Sequence, residues 1–393
     1  MPDANKAFNI LTINQISPVG LKNFPPNYYH IGNDLANPNA ILVRSHNMHA
    51  MEIPESVIAI GRAGAGTNNV PVDTMNQRGI PVFNTPGANA NAVKELVLAS
   101  ILLAARNLTP ALNFINGLQG DDAALHKQAE DGKKRFSGIE LPGRTLGIIG
   151  LGEIGRLVAD AALKLGMKVV GFDPNLTVDA AWNLSSDVKK AQSIEELLRQ
   201  SEFITLHVPL LDATRHMINE NCLKDINPDS ILLNFSRDGI VEENTILAGI
   251  EAKKIKYYIC DFPSQKLQHQ KAVITLPHLG ASTLEAEENC AVMAARQLRD
   301  YLENGNVINS VNFPTLSLDR SSGYRLAISN RNVPNMLGSI TSTLADHDIN
   351  VIDLLNKSRD DIAYNLIDVE PQPTATAIAQ LEAIDGVIAV RLL

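Results

Sequence analysis

Cysteine is scarce in this chain. Cys222, Cys260 and Cys290 are odd in number, far apart, and form no C-x-x-C pair. That spacing excludes a disulfide framework and fits reduced thiols in a cytoplasmic protein. Their ordinary role is that of small buried hydrophobes. No apolar run approaches the length of a membrane span, and Met1 to Asn9 lacks the basic-then-apolar pattern of a secretory signal. Positive charge is not in excess: the net charge is −9, which argues against a general nucleic-acid surface. No metal constellation is visible, because the His46/His49 pair has only Glu52 as a nearby ligand. G-x-S-x-G, H-E-x-x-H and P-loop motifs are absent as well. What remains is an ordinary globular composition, 45% hydrophobic and 20% charged, in 393 residues. That length accommodates two or three domains.

The most informative stretch present is Leu146-Gly147-Ile148-Ile149-Gly150-Leu151-Gly152-Glu153-Ile154-Gly155. It reads as a buried strand, a G-x-G-x-x-G turn and the start of an amphipathic helix. Gly150 permits the tight turn, Gly152 lets backbone approach a pyrophosphate, and Gly155 allows close helix–strand packing. The free N–H groups and partial positive charge of a helix N-terminus then face the phosphates. A second apolar strand, Lys168–Phe172, ends in Asp173, 18 residues beyond Gly155. An acid at this spacing bonds a ribose 2′-hydroxyl and repels a 2′-phosphate, so the expected cofactor is NAD rather than NADP. Alone the motif is also compatible with a glycine-rich surface loop; strand, turn, helix, strand and acid in order make the dinucleotide reading the stronger one.

Alternating strands and helices dominate the first 300 residues, which predicts α/β architecture with parallel sheets. An apolar helix at Asn91–Arg106 and a long helix at Leu284–Leu302 bracket the glycine-turn region. They predict a discontinuous partner domain, with the substrate in the cleft between the two. Residues between the first helix and the glycine turn read as loops carrying a basic patch, Lys133-Lys134-Arg135. Asn304 to Ser322, rich in Asn, Ser, Gly and Pro, reads as a linker. Beyond it a strand–helix–strand–strand–helix–strand order is ferredoxin-like. About 70 residues is marginal for a free-standing core, so pairing with another copy through a sheet edge is expected.

Three further segments carry candidate chemistry. Gly61-Arg62-Ala63-Gly64-Ala65-Gly66 follows a strand, and its small residues let backbone N–H groups converge on an anion. Arg62 and Arg44 are placed to clamp such an anion, although two solvated arginines on an ordinary loop fit equally well. Asn234-Phe235-Ser236-Arg237-Asp238-Gly239 ends a strand where open sheets bind ligands. Arg237 there suits a carboxylate or carbonyl; a surface ion pair to Asp238 is the plain alternative. His278 in Leu276-Pro277-His278-Leu279-Gly280 stands at the domain junction, where an imidazole can take a hydroxyl proton as hydride leaves the same carbon.

Together these stretches, with Asn84-Thr85-Pro86-Gly87 and His207-Val208-Pro209, resemble the D-2-hydroxyacid dehydrogenase family, over nearly the whole chain. Within it the chain is most similar to the branch that oxidises 3-phospho-D-glycerate. The resemblance implies two Rossmann-like doubly wound domains and a C-terminal ferredoxin-like βαββαβ ACT domain. The substrate domain would be 1–107 with 279–315, the NAD-binding domain 108–278 and the ACT domain 322–393. It also implies NAD-dependent oxidation to 3-phosphohydroxypyruvate, the first step of L-serine biosynthesis. Arg237 would bind the substrate carboxylate and carbonyl, and His278 would be the general acid/base. Arg44, Arg62, Ala65 and Gly66 would meet the substrate. Gly150, Leu151, Gly152, Glu153, Ile154 and Gly155 would cradle the pyrophosphate, Asp173 the adenosine ribose and Asp261 the nicotinamide amide. His207, Pro209, Thr214, Ser236 and Gly280 would line the cofactor.

Two departures stand out. The family's Glu partner of the catalytic His is missing, since no Glu lies between Glu251 and Glu285. Gln265, in Asp261-Phe262-Pro263-Ser264-Gln265, is the best candidate for that slot; it can orient the imidazole but brings no negative charge. In the C-terminal unit, Asn330, Asn332 and Asn350 are the residues implied for an L-serine or other amino-acid effector, with Asn330 standing where relatives have His. A dimer or tetramer is implied too. Other expectations in view are a glyoxylate, hydroxypyruvate or D-lactate reductase and, from another class, an NAD(H)-sensing protein of corepressor type.

Overall fold

A computed structural model describes residues 7–393, so most of the Met1–Asn9 stretch lies outside the described residues. Two compact units emerge: residues up to Asn89 together with Leu284–Leu393, and Ala90–Thr283.

In the first unit, β1 (Phe8–Ile13), β2 (Tyr29–Gly32), β3 (Ala40–Val43), β4 (Ala59–Arg62) and β5 (Val82–Phe83) form a parallel sheet ordered β2-β1-β3-β4-β5. Every residue of β3 is buried, as expected for a strand covered on both faces. The helix Leu284–Asn304 packs Ala291, Ala294, Ala295 and Leu298 into this core. Gly61 leaves the room that the Leu298 side chain occupies, since a Cβ there would stand 2.8 Å from it.

The second unit holds seven parallel strands: β6 (Thr145–Ile149), β7 (Lys168–Phe172), β8 (Lys189–Lys190), β9 (Phe203–Leu206), β10 (Ser230–Asn234), β11 (Ile255–Cys260) and β12 (Val273–Thr275). Their order is β12-β11-β10-β9-β6-β7-β8. The chain winds outward from β6 in one direction and from β9 in the other, so β6 and β9 flank the switch point where open sheets bind ligands. The helix Glu153–Lys164 buries Val158, Ala159 and Ala162 against β6 and against the helix Ala90–Ala105.

The segment before β6 is not loop. It forms helices Leu108–Asn116 and Asp122–Gly132 and a 3-10 turn, Lys133–Phe136. Its first helix buries no residue and leaves Leu108, Leu112 and Ile115, one helical stripe, exposed; the Asp121 side chain caps the second helix on the Ala124 N–H. The basic Arg135 lies over the Phe114 ring, 4.5 Å from its centroid.

The C-terminal strands β13 (Tyr324–Arg331), β14 (Asn350–Arg359), β15 (Ile362–Glu370) and β16 (Val387–Leu392) form an antiparallel sheet ordered β14-β15-β13-β16. One face packs on helices Met336–Asp346 and Ala375–Glu382; the other carries Ala327, Tyr364 and Leu366 into the core around Tyr301 and Phe313. The linker expectation for 304–322 is therefore corrected. Val307, Phe313 and Leu316 are buried, and Val307 and Leu316 pair with each other. The polar composition hid three core anchors spaced irregularly through it.

A fully buried arginine fastens this junction. Arg325 donates to both carboxylate oxygens of Asp368, at 2.6 and 2.9 Å, and to the carbonyls of Asn304, Leu318 and Asp319. Five donors meet five acceptors, which is the full capacity of a guanidinium.

Candidate functional site

In the 90–283 unit the glycine turn leaves β6 with Gly150 at φ +92°, where a Cβ would meet the His207 carbonyl oxygen at 2.4 Å. A Cβ on Gly155 would lie 1.9 Å from the Gly150 oxygen, so helix and turn touch backbone to backbone. Nothing approaches the Cβ position of Gly152 within 4 Å. Gly152 also begins the helix Glu153–Lys164, and no side chain caps it. Open space above a glycine and uncapped N–H groups are what a pyrophosphate needs. Beside the turn, Asp173 accepts the Leu151 N–H at 2.9 Å and the Asn175 N–H at 3.0 Å. A cavity of about 280 Å³ opens there, lined by Leu151, Asp173, Leu176, Leu184 and Lys190. Apolar Leu151, Leu176, Leu184 and Val188 stand beside one acid and Lys189 and Lys190, a lining that suits the adenosine part of an NAD molecule.

The neighbouring strand ends are tied together by side chains. The Ser236 hydroxyl donates to the Leu206 carbonyl at 2.5 Å and accepts the Val208 N–H. Thr214 donates to the Pro209 carbonyl and accepts the Leu211 N–H, closing that loop. The His207 ring is held at Nε2 by Thr205, 3.0 Å away, and burial lowers its pKa to about 3. It is a neutral spacer beside the turn rather than a proton carrier.

Arg237 follows β10. The buried Asn234 accepts the Ser236 N–H and donates to the Arg237 carbonyl, folding the loop that presents this arginine. An Asn placed two residues before the N–H it accepts is an Asx turn, a signal carried by the sequence. Its guanidinium Nη1 donates to the Ser236 carbonyl at 2.6 Å. His278 is exposed after β12, in the left-handed region at φ +56°. A non-glycine residue there costs energy and is held by its surroundings. The holder is Asp261: buried, it accepts the N–H groups of Leu279 and Gly280, both at 2.7 Å. The resemblance assigns Asp261 to the nicotinamide; the structure gives its two oxygens to the His278 loop.

Gln265 makes no hydrogen bond to His278 here. It is exposed in a turn closed by the Leu267 N–H on the Ser264 hydroxyl and the Gln268 N–H on the Ser264 carbonyl. Among the described residues the ring found against His278 is Phe262, edge-on at 5.4 Å.

The other unit carries the remaining substrate candidates. Arg44 pairs with Glu287 of the long helix at 2.5 Å, a partner the sequence pattern did not suggest. Gly64, at φ +152°, leaves the space that the Arg62 guanidinium fills, because a Cβ would fall 1.5 Å from its Nη1. Asn84 donates to the Ala65 carbonyl at 2.6 Å, holding the Ala65–Gly66 loop. The effector candidates do not converge within one chain. Asn330 is buried, donating to the Arg331 carbonyl and accepting from Asn365. Asn332 donates to the Asp360 carbonyl. Asn350 pairs with Glu370, whereas Asn330 pairs with Ala363, so the two lie at opposite ends of the sheet, about 23 Å apart along β15.

Residues 108–282 match the family model for the D-isomer specific 2-hydroxyacid dehydrogenase NAD-binding domain. The chain is 31% identical to a D-3-phosphoglycerate dehydrogenase of Haemophilus influenzae, over 87% of this chain and 83% of that relative. The chain belongs to the D-2-hydroxyacid dehydrogenase family. This NAD-dependent family also includes a D-3-phosphoglycerate dehydrogenase of Methanocaldococcus jannaschii, 33% identical over 78% of this chain; the chain spans 56% of that relative's length. Among solved structures, the NAD+-bound 3-phosphoglycerate dehydrogenase of Entamoeba histolytica matches with a TM-score of 0.60 and 25% identity, over 79% of this chain and all of that one. A D-mandelate dehydrogenase of Rhodotorula graminis shares the dehydrogenase fold, with a TM-score of 0.66 at 20% identity over 80% of this chain and all of that one.

Proposed function

We propose that this chain catalyses the NAD-dependent oxidation of 3-phospho-D-glycerate to 3-phosphohydroxypyruvate, the first step of L-serine biosynthesis. The observation that carries this reading is the shared sheet. Arg237 follows β10 and His278 follows β12, on the same parallel sheet whose switch point holds the glycine turn. The relatives named 3-phosphoglycerate dehydrogenase supply the substrate. NAD, when bound, supplies the hydride acceptor. Arg237 binds the substrate carboxylate and orients the C2 carbon, while an imidazole nitrogen of His278 takes the hydroxyl proton as the C–H bond breaks. Asp261 is a positioning residue for His278, and Arg44 and Arg62 receive the phosphorylated end of a multiply anionic substrate. Gln265 remains the candidate third member, placed next to the Ser264 turn in the segment that also carries Phe262.

The sequence-based division belongs to the same proposal: a substrate part at 1–107 with 279–315, an NAD part at 108–278 and an ACT module at 322–393. The sheet order β14-β15-β13-β16 supports the ACT assignment. An L-serine site built from Asn330, Asn332 and Asn350 requires two copies side by side, which favours a homo-oligomer. No single helix among the described residues is long and apolar enough to cross a membrane, and we place the enzyme in the cytoplasm.

The test is NADH formation with 3-phospho-D-glycerate against glycerate, lactate and 2-hydroxyglutarate, in wild type and His278→Asn. Turnover restricted to the phosphorylated acid and lost in the variant supports the proposal. Preference for lactate or glycerate moves the chain to the reductase branch, and cofactor binding without any turnover makes it an NAD(H) sensor.

A further inference from the structure

The last turn of the helix Leu284–Asn304 borders a cavity of about 520 Å³, lined by Tyr28, Arg299, Glu303, Asn304, Arg320 and Ser321. Its charges are unequally matched. Arg299 donates to Glu303 at 2.9 Å, and the Tyr29 hydroxyl donates to the same oxygen, so that pair is balanced. Arg325, the next cation, is consumed by Asp368 and three carbonyls. Arg320 makes no hydrogen bond or ion pair with any described residue. Partial burial, then the charge of Arg325, weakens its hold on its proton, and the carboxylate of Asp368 opposes them.

Arg320 is nevertheless held in place. The carbonyl of Asp319 before it accepts from Arg325 at 2.9 Å. The N–H and hydroxyl of Ser321 after it both donate to Asp368. A guanidinium whose backbone is fixed on both sides, and whose own N–H groups make no hydrogen bond to any described residue, is placed to take an anion.

We propose that this cavity binds a small oxyanion, a phosphate- or carboxylate-bearing molecule, with Arg320 as its charge partner. The same helix that lines the cavity carries Glu287, the partner of Arg44, sixteen positions before Glu303 and about 24 Å away along the axis. An anion that draws Arg299 from Glu303 acts on the end of the element that holds Arg44. This coupling rests on the proposed role of Arg44 in substrate binding; the anion site itself does not.

The experiment titrates the full chain with potassium phosphate, and separately with sodium succinate, by isothermal calorimetry in a chloride buffer. Saturable binding of at least one anion is expected, weakened about tenfold in Arg320→Gln, as loss of a charge-assisted hydrogen bond implies, and partly kept in Arg320→Lys. The anion that binds separates a phosphate from a carboxylate ligand. Absence of saturable binding, equal affinity in Arg320→Gln, or loss of binding in Arg237→Ala with retention in Arg320→Gln overturns the site. In the kinetic arm, the bound anion shifts the KM for 3-phospho-D-glycerate at least twofold in wild type and not in Arg320→Gln. Binding with no shift in KM overturns the coupling and leaves the site; inactivity toward that substrate overturns the functional reading alone.

Discussion

Asp261 holds the loop on which His278 stands, and this makes it the most informative single residue to change. Its two oxygens accept two backbone N–H groups at 2.7 Å each. Asp261→Asn replaces one oxygen with a donor that faces another donor, and the left-handed His278 backbone then relaxes. The expected result is a kcat lowered by about 10- to 100-fold, the size of a small misplacement of a reacting group, with far-UV circular dichroism unchanged. Gly155→Ala tests the turn: a methyl group 1.9 Å from the Gly150 oxygen must push the helix from the strand. Loss of NAD binding, read by calorimetry, is the outcome expected. His207 gives a pH prediction. Its folded pKa, about 3, lies below its ordinary 6.5, so between those values the unfolded chain binds the extra proton. Stability therefore falls as pH drops below about 6.5, by up to about 1.4 kcal/mol per pH unit from this ring alone. Urea unfolding of His207→Gln over that range should show a shallower decline than wild type.

At the scale of elements, the Arg325–Asp368 pair decides how the antiparallel sheet attaches. The pair is buried, with side chains 0% and 3% exposed. Arg325→Met strands a buried carboxylate and three unpaired carbonyls, and should cost about 3–5 kcal/mol in stability, read as a fall in urea midpoint. Arg325→Met with Asp368→Leu should recover part of that loss, because it removes the orphaned charge. The elements themselves were largely legible. Buried apolar strands such as Phe203–Leu206 and the amphipathic helix Glu153–Lys164 announce themselves by pattern. The helix Asp122–Gly132 carries no such pattern, and in Leu108–Asn116 the stripe Leu108, Leu112 and Ile115 spans barely two turns and stays exposed.

Over the whole molecule, the segment expected to be a linker belongs to the core. Phe313 and Leu316 are 0% and 1% exposed. Chymotrypsin should leave the Leu316–Ser317 bond uncut under native conditions, and the Arg325→Met variant should be cleaved there; the Phe313–Pro314 bond resists the protease in either state. Release of a free C-terminal fragment from wild type would show that the buried packing does not hold in solution. The marginal size of the C-terminal unit is met here by packing on Tyr301 and Phe313 of the same chain, with the edges β14 and β16 left unpaired. Sequence alone suggested pairing with another copy through a sheet edge as a further means.

Sequence by itself determined the cofactor turn, the acid at Asp173, the parallel character of the sheets and the candidate pair Arg237 and His278. Those features are local: a glycine pattern, an apolar period or a strand end carries its physics within a few residues. Tertiary structure alone decided what those residues touch. It gave Asp261 to the His278 loop, Glu287 to Arg44, and five acceptors to Arg325, and it separated Asn350 from Asn330. It also set Phe262, not Gln265, against the imidazole. Partners far apart in the chain are chosen by packing, and no spacing along the chain encodes that choice.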